Sequence, residues 1–151
     1  MSTALPLYKN IDVREVKAPV AAASNTDSNS DIIDMAGYEG VIFIVPIEDS
    51  VATGVATLKA EEHTLNQDSG MAAIQGASAT KTCTVNDDIN GTLLIVEVFR
   101  PRERYVQAVI TSATANIAFG TMTAILYGHR KVPVTEHATV SASASVTSAS
   151  E

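Results

Sequence analysis

Apolar residues are arranged along this chain in two ways. Residues 41–47, VIFIVPI, form an unbroken apolar run, and residues 92–99, TLLIVEVF, form a second long one. The length and β-branching of the first run predict a strand buried on both faces. Elsewhere apolar and polar residues alternate. Ala56, Leu58 and Ala60 stand against Val55, Thr57 and Lys59. Val106, Ala108 and Ile110 stand against Tyr105, Gln107 and Val109, and Thr80, Thr82 and Thr84 against Lys81, Cys83 and Val85. A period of two is the signature of a strand.

Turn chemistry separates these stretches. Gly37 and Gly40 bracket Tyr38, and NDDING (86–91) ends in Asn-Gly, which favours positive φ. FRPRER (99–104) and SATAN (112–116) read as further turns. Residues 117–128, IAFGTMTAILYG, read as one more strand, with Gly120 marking a bulge. Pro46 cannot donate to a ladder, so it is expected near the end of its strand, at an edge or bulge. Residues 64–79 hold two glycines and many polar side chains, and read as a loop with one helical turn at MAAIQ.

The two ends differ from this body. Residues 1–30 include SNTDSNS, which is small, polar and turn-prone, and read as an extended arm and linker. Within that arm Ile11 and Val13 alternate as one apolar strand face able to dock on a partner. Residues 135–151 are low in complexity, built from Ser, Ala, Thr and Val, and read as a disordered tail or an extended strand docked on another surface. Short strands at hairpin spacing predict an all-β fold, an antiparallel β-sandwich or barrel over residues 31–134, with an N-terminal arm and a C-terminal tail.

Composition narrows the function classes. The chain has 151 residues, 46% of them hydrophobic, enough for one domain with a true core. Its net charge of -7 argues against nucleic acid as a partner, because phosphate binding needs a basic face. The longest apolar run is far short of the ~20 residues of a membrane helix. The N-terminus lacks the apolar core of a secretory signal. A soluble product made in the cytosol is expected.

The candidate chemistry is sparse. His63, His129 and His137 are far apart and match no metal spacing. Cys83 is the single cysteine, so it forms no internal disulfide and reads as a small buried hydrophobe. Glu61-Glu62 and Asp87-Asp88 are adjacent pairs, and neighbours on a strand point to opposite faces, so neither makes an acid/base dyad. Asp87-Asp88 suits an Asx turn better than a calcium loop, whose spacing and terminal glutamate are missing. Phosphate-loop patterns are absent. These readings predict no catalytic residues, no cofactor and no metal.

One cluster stands out. FRPRERY, residues 99–105, places Arg100, Arg102 and Arg104 within five positions of an acidic chain. Three arginines on one turn give little affinity for nucleic acid. Arginine is the preferred partner of carboxylates at interfaces, and Pro101 stiffens the turn. The cluster therefore reads as a clamp, within or between molecules. Arg100, Arg102, Arg104, Tyr105, Ile11 and Val13 are the expected interface residues.

Three segments carry a resemblance: SDIIDMAGYEGVIFIV, LIVEVFRPRERYVQAVI and ILYGHRKVPVT, followed by the Ser/Ala/Val tail. Over roughly residues 30–140 the chain resembles a family of small tailed-bacteriophage virion proteins. Its most specific pieces are DMAGYEGV (34–41), the turn at 100–105 and YGHRKVPVT (127–135). The resemblance implies a capsid decoration, or cement, protein: a compact β-rich body that binds the outside of an HK97-like shell of major capsid protein, as a homo-oligomer, trimer or dimer. It implies a location on the capsid surface of the virion and no catalytic residues. Another virion part, a head-fibre base or a tail protein, fits the same pattern. A small trimeric β-fold nucleotide hydrolase of the dUTPase kind fits the length, but its GRS triplet and catalytic-aspartate segment are absent.

Overall fold

A computed structural model describes residues 5–148. The fold is all-β, with two antiparallel sheets packed face to face, one of them curled into a half-barrel. After a single helical turn, α1 (Leu7–Asn10), the strands are β1 (Ile11–Lys17), β2 (Val20–Ala23), β3 (Thr26–Asn29), β4 (Ile33–Asp34), β5 (Gly40–Ser50), β6 (Val55–His63), β7 (Ala72–Thr82), β8 (Leu93–Phe99), β9 (Tyr105–Ala113), β10 (Ile117–Phe119) and β11 (Met122–Tyr127).

The first sheet is organised around β5. On one side β5 pairs with β8, from Gly40↔Phe99 to Pro46↔Leu93. On the other side it pairs with β11 and then β10. Between these two strands the Gly120 N–H bonds the Pro46 carbonyl at 2.9 Å, so the bulge expected at Gly120 sits opposite Pro46. Pro46 therefore lies mid-strand, at a bulge of its neighbour rather than at the end of β5. Beyond β11 and β10, β1 and β2 form the edge. The second sheet runs β3-β9-β6-β7, with β4 beside β9.

The core lies between the sheets. Val41, Phe43, Val45 and Ile47 of β5 face Ala56, Leu58 and Ala60 of β6, all fully buried. Val96 and Val98 of β8, Ile110 of β9 and Leu126 of β11 complete it. Removing a side chain the size of Leu58 from water contributes about 2–3 kcal/mol.

Three expectations are corrected. Residues 1–30 are not a projecting arm over their described part: β1 and β2 are the edge of the first sheet, and β3 crosses to the second. Edge pairing satisfies the backbone of residues 11–23, which a free arm would leave to water. Ile11 and Val13 do lie on a strand, as their alternation predicts. Residues 72–79 are strand, not loop, and MAAIQ runs into β7 rather than forming a helical turn. The following stretch TKTCTV is strand only to Thr82. Finally, β5 is not buried on both faces, since Ile42, Ile44 and Pro46 alternate with the buried set and remain partly exposed. The described tail, residues 135–148, contains no strand. Residues 1–4 of the expected arm and 149–151 of the expected tail lie outside the described residues.

Candidate docking surface

The outer faces of the two sheets differ in chemistry. The second sheet presents Thr57, Lys59, Glu61 and Thr111 outward, all partly exposed, while Gln107 and Val109 on the same side of β9 are buried. The first sheet presents apolar side chains across four strands. In one row Val13, Ile125, Ile42 and Glu97 are register neighbours. In the next, Glu15, Thr123, Ile44 and Ile95 are neighbours, so this row is apolar only on β5 and β8, and in a third Ile11, Tyr127, Gly40 and Phe99. Leu93, Ile95 and Phe99 are 56%, 52% and 56% exposed.

The local sequence explains this face. β8 reads Leu-Leu-Ile-Val-Glu-Val-Phe, so both its faces are apolar except at Glu97. Glu97 accepts a hydrogen bond from the Tyr127 hydroxyl. The Tyr127 ring crosses β5 over Gly40, where a Cβ would fall inside the ring. Burial, reinforced by Glu97, pushes the Tyr127 pKa up to about 12. With strands ~4.8 Å apart and ~3.3 Å per residue, the face covers on the order of 350 Å². The largest apolar patch of a typical monomer is of that size and is often functional.

At one end the face meets the FRPRERY turn. Arg100 takes the left-handed conformation, φ 53°, and its guanidinium lies 4.9 Å from the Phe99 ring centroid. Its N–H donates to the Glu39 carbonyl at 2.7 Å and its Nη2 to Glu39 Oε1 at 3.3 Å. Arg104 donates from Nε and Nη2 to the two Asp34 oxygens, each at 2.8 Å. This fork holds the Asp34 carboxyl below its ordinary range. Glu62 accepts from the backbone N–H groups of Arg102 and Glu103, at 3.0 and 3.2 Å. Tyr105 begins β9.

The turn does not stand alone. YGHRK closes over DMAGYEGV: Glu39 N–H donates to Tyr127 O at 3.0 Å, Arg130 N–H to Gly37 O at 3.1 Å, and the His129 ring lies 4.6 Å from that of Tyr38. All three resemblance segments thus converge on one corner, around a groove of about 510 Å³ lined by Glu39, Arg100, Arg102, Arg104 and Arg130. Among the described residues neither Arg102 nor Arg130 makes a side-chain ion pair.

Of the six expected interface residues, Ile11 and Val13 belong to the apolar face. Arg100 and Arg104 clamp their own body, and Arg102 is left facing the groove. Reading the sequence alone misses Leu93, Ile95, Phe99, Ile42, Ile44 and Ile125. Their signal was the apolar content of both faces of β5 and β8, which read as burial rather than as a surface.

The remaining candidates have structural roles. Nδ1 of each histidine accepts the backbone N–H two residues ahead: His63 from Leu65, His129 from Lys131 and His137 from Thr139. Among the described residues no group of three metal-binding side chains is present. Cys83 is fully buried in the core, and burial pushes its thiol pKa up. Asp88 accepts the N–H groups of Thr84 and Val85 and the Thr84 hydroxyl, which hold its carboxyl far below the ordinary range. Glu61 pairs with Lys59 at 3.2 Å while Glu62 caps the turn, so the adjacent carboxylates do separate. No helix among the described residues is long and apolar enough to cross a membrane. No protein-family model matches this chain, and no curated protein matches it.

Proposed function

We propose that this protein is a non-enzymatic structural component of a tailed-bacteriophage virion, which binds the outer surface of the capsid and stabilises it as a decoration protein. The observation that carries the reading is the apolar outer face of the first sheet, with Leu93, Ile95 and Phe99 more than half exposed beside Ile44. A face of this chemistry supports a binding role, and the sequence resemblance supplies the class of partner. The arginine corner at its end adds direction, because among the described residues the Arg102 and Arg130 side chains make no ion pair. The partner is a shell of major capsid protein that offers an apolar patch with acidic residues at its edge.

The size of the face supports an oligomer. About 350 Å² is below the ~800 Å² per partner of a stable standard interface. One copy binds weakly, and linked copies add effective concentration. The test is reconstitution of the purified protein with capsid shells lacking it, followed by cryo-microscopy and thermal or osmotic challenge. Density on the outer shell surface, with raised resistance, is expected. Density confined to tails or to a fibre attachment point would move the protein to another virion part, and no binding to any particle would overturn the reading.

A further inference from the structure

A second surface lies at the other side of β8, where its backbone has no partner. Among the described residues β8 ladders only with β5. Along the opposite edge runs a groove of about 480 Å³ bounded by Thr92, by residues 93–95 of β8 and by residues 79–81 of β7, with Ile89 and Leu94 buried beside it. An open edge beside an apolar groove is a template for an added strand.

The chain carries a segment of matching chemistry. Residues 140–147 read VSASASVT, with Val140, Ala142, Ala144 and Val146 alternating against Ser141, Ser143, Ser145 and Thr147. That is a strict period of two with one small apolar face and no charge. The segment forms no strand in its own molecule, and Val146 is 85% exposed. Its one side-chain hydrogen bond among the described residues joins Ser143 to Glu136 of the same tail.

Its attachment decides whose groove it can reach. Val134 N–H donates to Lys9 O at 2.8 Å, and Glu15 N–H donates to the Thr139 hydroxyl at 3.1 Å. Both bonds tie the tail to the β1 side, the edge of the first sheet opposite β8. Three strand spacings of ~4.8 Å separate those edges, roughly 14 Å. Crossing that width uses about four extended residues, half of the alternating segment itself. With Thr139 held, residues 140–147 cannot all lie along β8 of their own chain, and Ala142 is spent on the crossing.

We propose that residues 140–147 add as a strand to the free edge of β8 in a second copy, with Ala142 and Ala144 turned into the groove over Leu94. Each copy gives a tail at one edge of its first sheet and receives one at the other, so the contact is head-to-tail, and it forms a ring where the rotation between copies closes. Small side chains suit the role, since the groove is shallow and already bordered by Leu93 and Ile95. The association needs no capsid, so it stands or falls separately from the shell reading.

The test uses the full chain in solution. A photo-crosslinking residue at Ala144, in an equal mixture of 15N-labelled and unlabelled protein, reports which strand the tail touches and in which copy. Mixed-label crosslinks to residues 92–95 or 79–81 are expected. Crosslinks within one chain only, or to β1, overturn the proposal. Truncation after Thr139, and the double substitution Ala142→Pro with Ala144→Pro, are expected to weaken self-association at least tenfold by light scattering while leaving the melting temperature of the body unchanged. A full-length chain that stays monomeric, or a truncated chain that keeps its oligomeric mass, overturns it as well.

Discussion

Arg104 grips Asp34 through two bonds of 2.8 Å, tying the end of the arginine turn to β4 across seventy residues of sequence. The pair is about half exposed, so its worth to the fold is modest. Its effect on ionisation is more specific. Arg104→Ala is expected to return the Asp34 carboxyl towards its ordinary pKa near ~3.9, read by NMR titration. A carboxylate with a depressed pKa supports the fold above its unfolded value and loses that support as pH falls through the folded value. The stability difference between wild type and Arg104→Ala is therefore present at neutral pH and disappears under acid, below about pH 4. Arg104→Lys is expected to recover only part of it, since an ammonium cannot make the fork.

Arg102 behaves differently. Its side chain has no carboxylate on its own body among the described residues, and only its backbone N–H is held, by Glu62. Arg102→Ala is expected to leave the melting temperature unchanged and to lower affinity for the shell several-fold. Glu62→Ala reverses the pattern: it removes the acceptor of two turn N–H groups, and is expected to cost roughly 1–2 kcal/mol in a denaturant titration.

A further consequence follows from Gly40. A methyl group there would clash with Cζ and the hydroxyl of Tyr127, so Gly40→Ala must displace the ring and disturb its bond to Glu97. Tyr127 and Tyr38 both have pKa values raised to about 12, by burial first and then by Glu97 and Asp12. A tyrosine raised above its unfolded value of ~10 supports the fold fully below pH 10 and loses that support as pH rises to about 12. Alkaline unfolding is expected in that window. Gly40→Ala and Tyr127→Phe should both shrink the pH 10 to 12 drop in melting temperature, which circular dichroism follows directly.

How much of this was legible beforehand depends on what each signal measures. Alternation in 55–60 matches β6, whose Val55, Thr57 and Lys59 are partly exposed, and alternation in 105–110 matches β9, although Gln107 and Val109 on its outer side are buried as well. Residues 72–79, the first part of β7, read as a loop because Ala72, Ala73, Ser78 and Ala79 have weak strand propensity, and pairing with β6 imposes the conformation. The edge strands β1 and β2 were read as an arm because Pro19 and SNTDSNS interrupt the pattern, while their partners β11 and β10 lie about a hundred residues away. The arginine turn was visible, but Glu39, Asp34 and Glu62 lie 61, 70 and 40 residues from the groups they hold. The docking face was hidden for a different reason: an apolar run shows that both faces avoid polar groups, and says nothing of whether the second face meets this molecule or another.

That distinction can be measured with two substitutions of opposite character. Leu58 is fully buried against β5, and Leu58→Ala removes core contacts on both sheets. It is expected to cost about 2–5 kcal/mol of stability, read as a lower denaturation midpoint. Ile95 is just as apolar, yet it is 52% exposed on the outer face. Ile95→Glu removes little burial from the isolated chain, so its midpoint is expected to stay within about 0.5 kcal/mol of wild type. In a shell-binding assay the order inverts. A glutamate at 95 places an unpaired charge within an apolar contact, a cost of several kcal/mol, and binding is expected to fall at least tenfold. Leu58→Ala, assayed where it remains folded, is expected to bind as wild type does. If Ile95→Glu binds normally, the face is not the docking surface; if it unfolds the protein, the face belongs to the core after all.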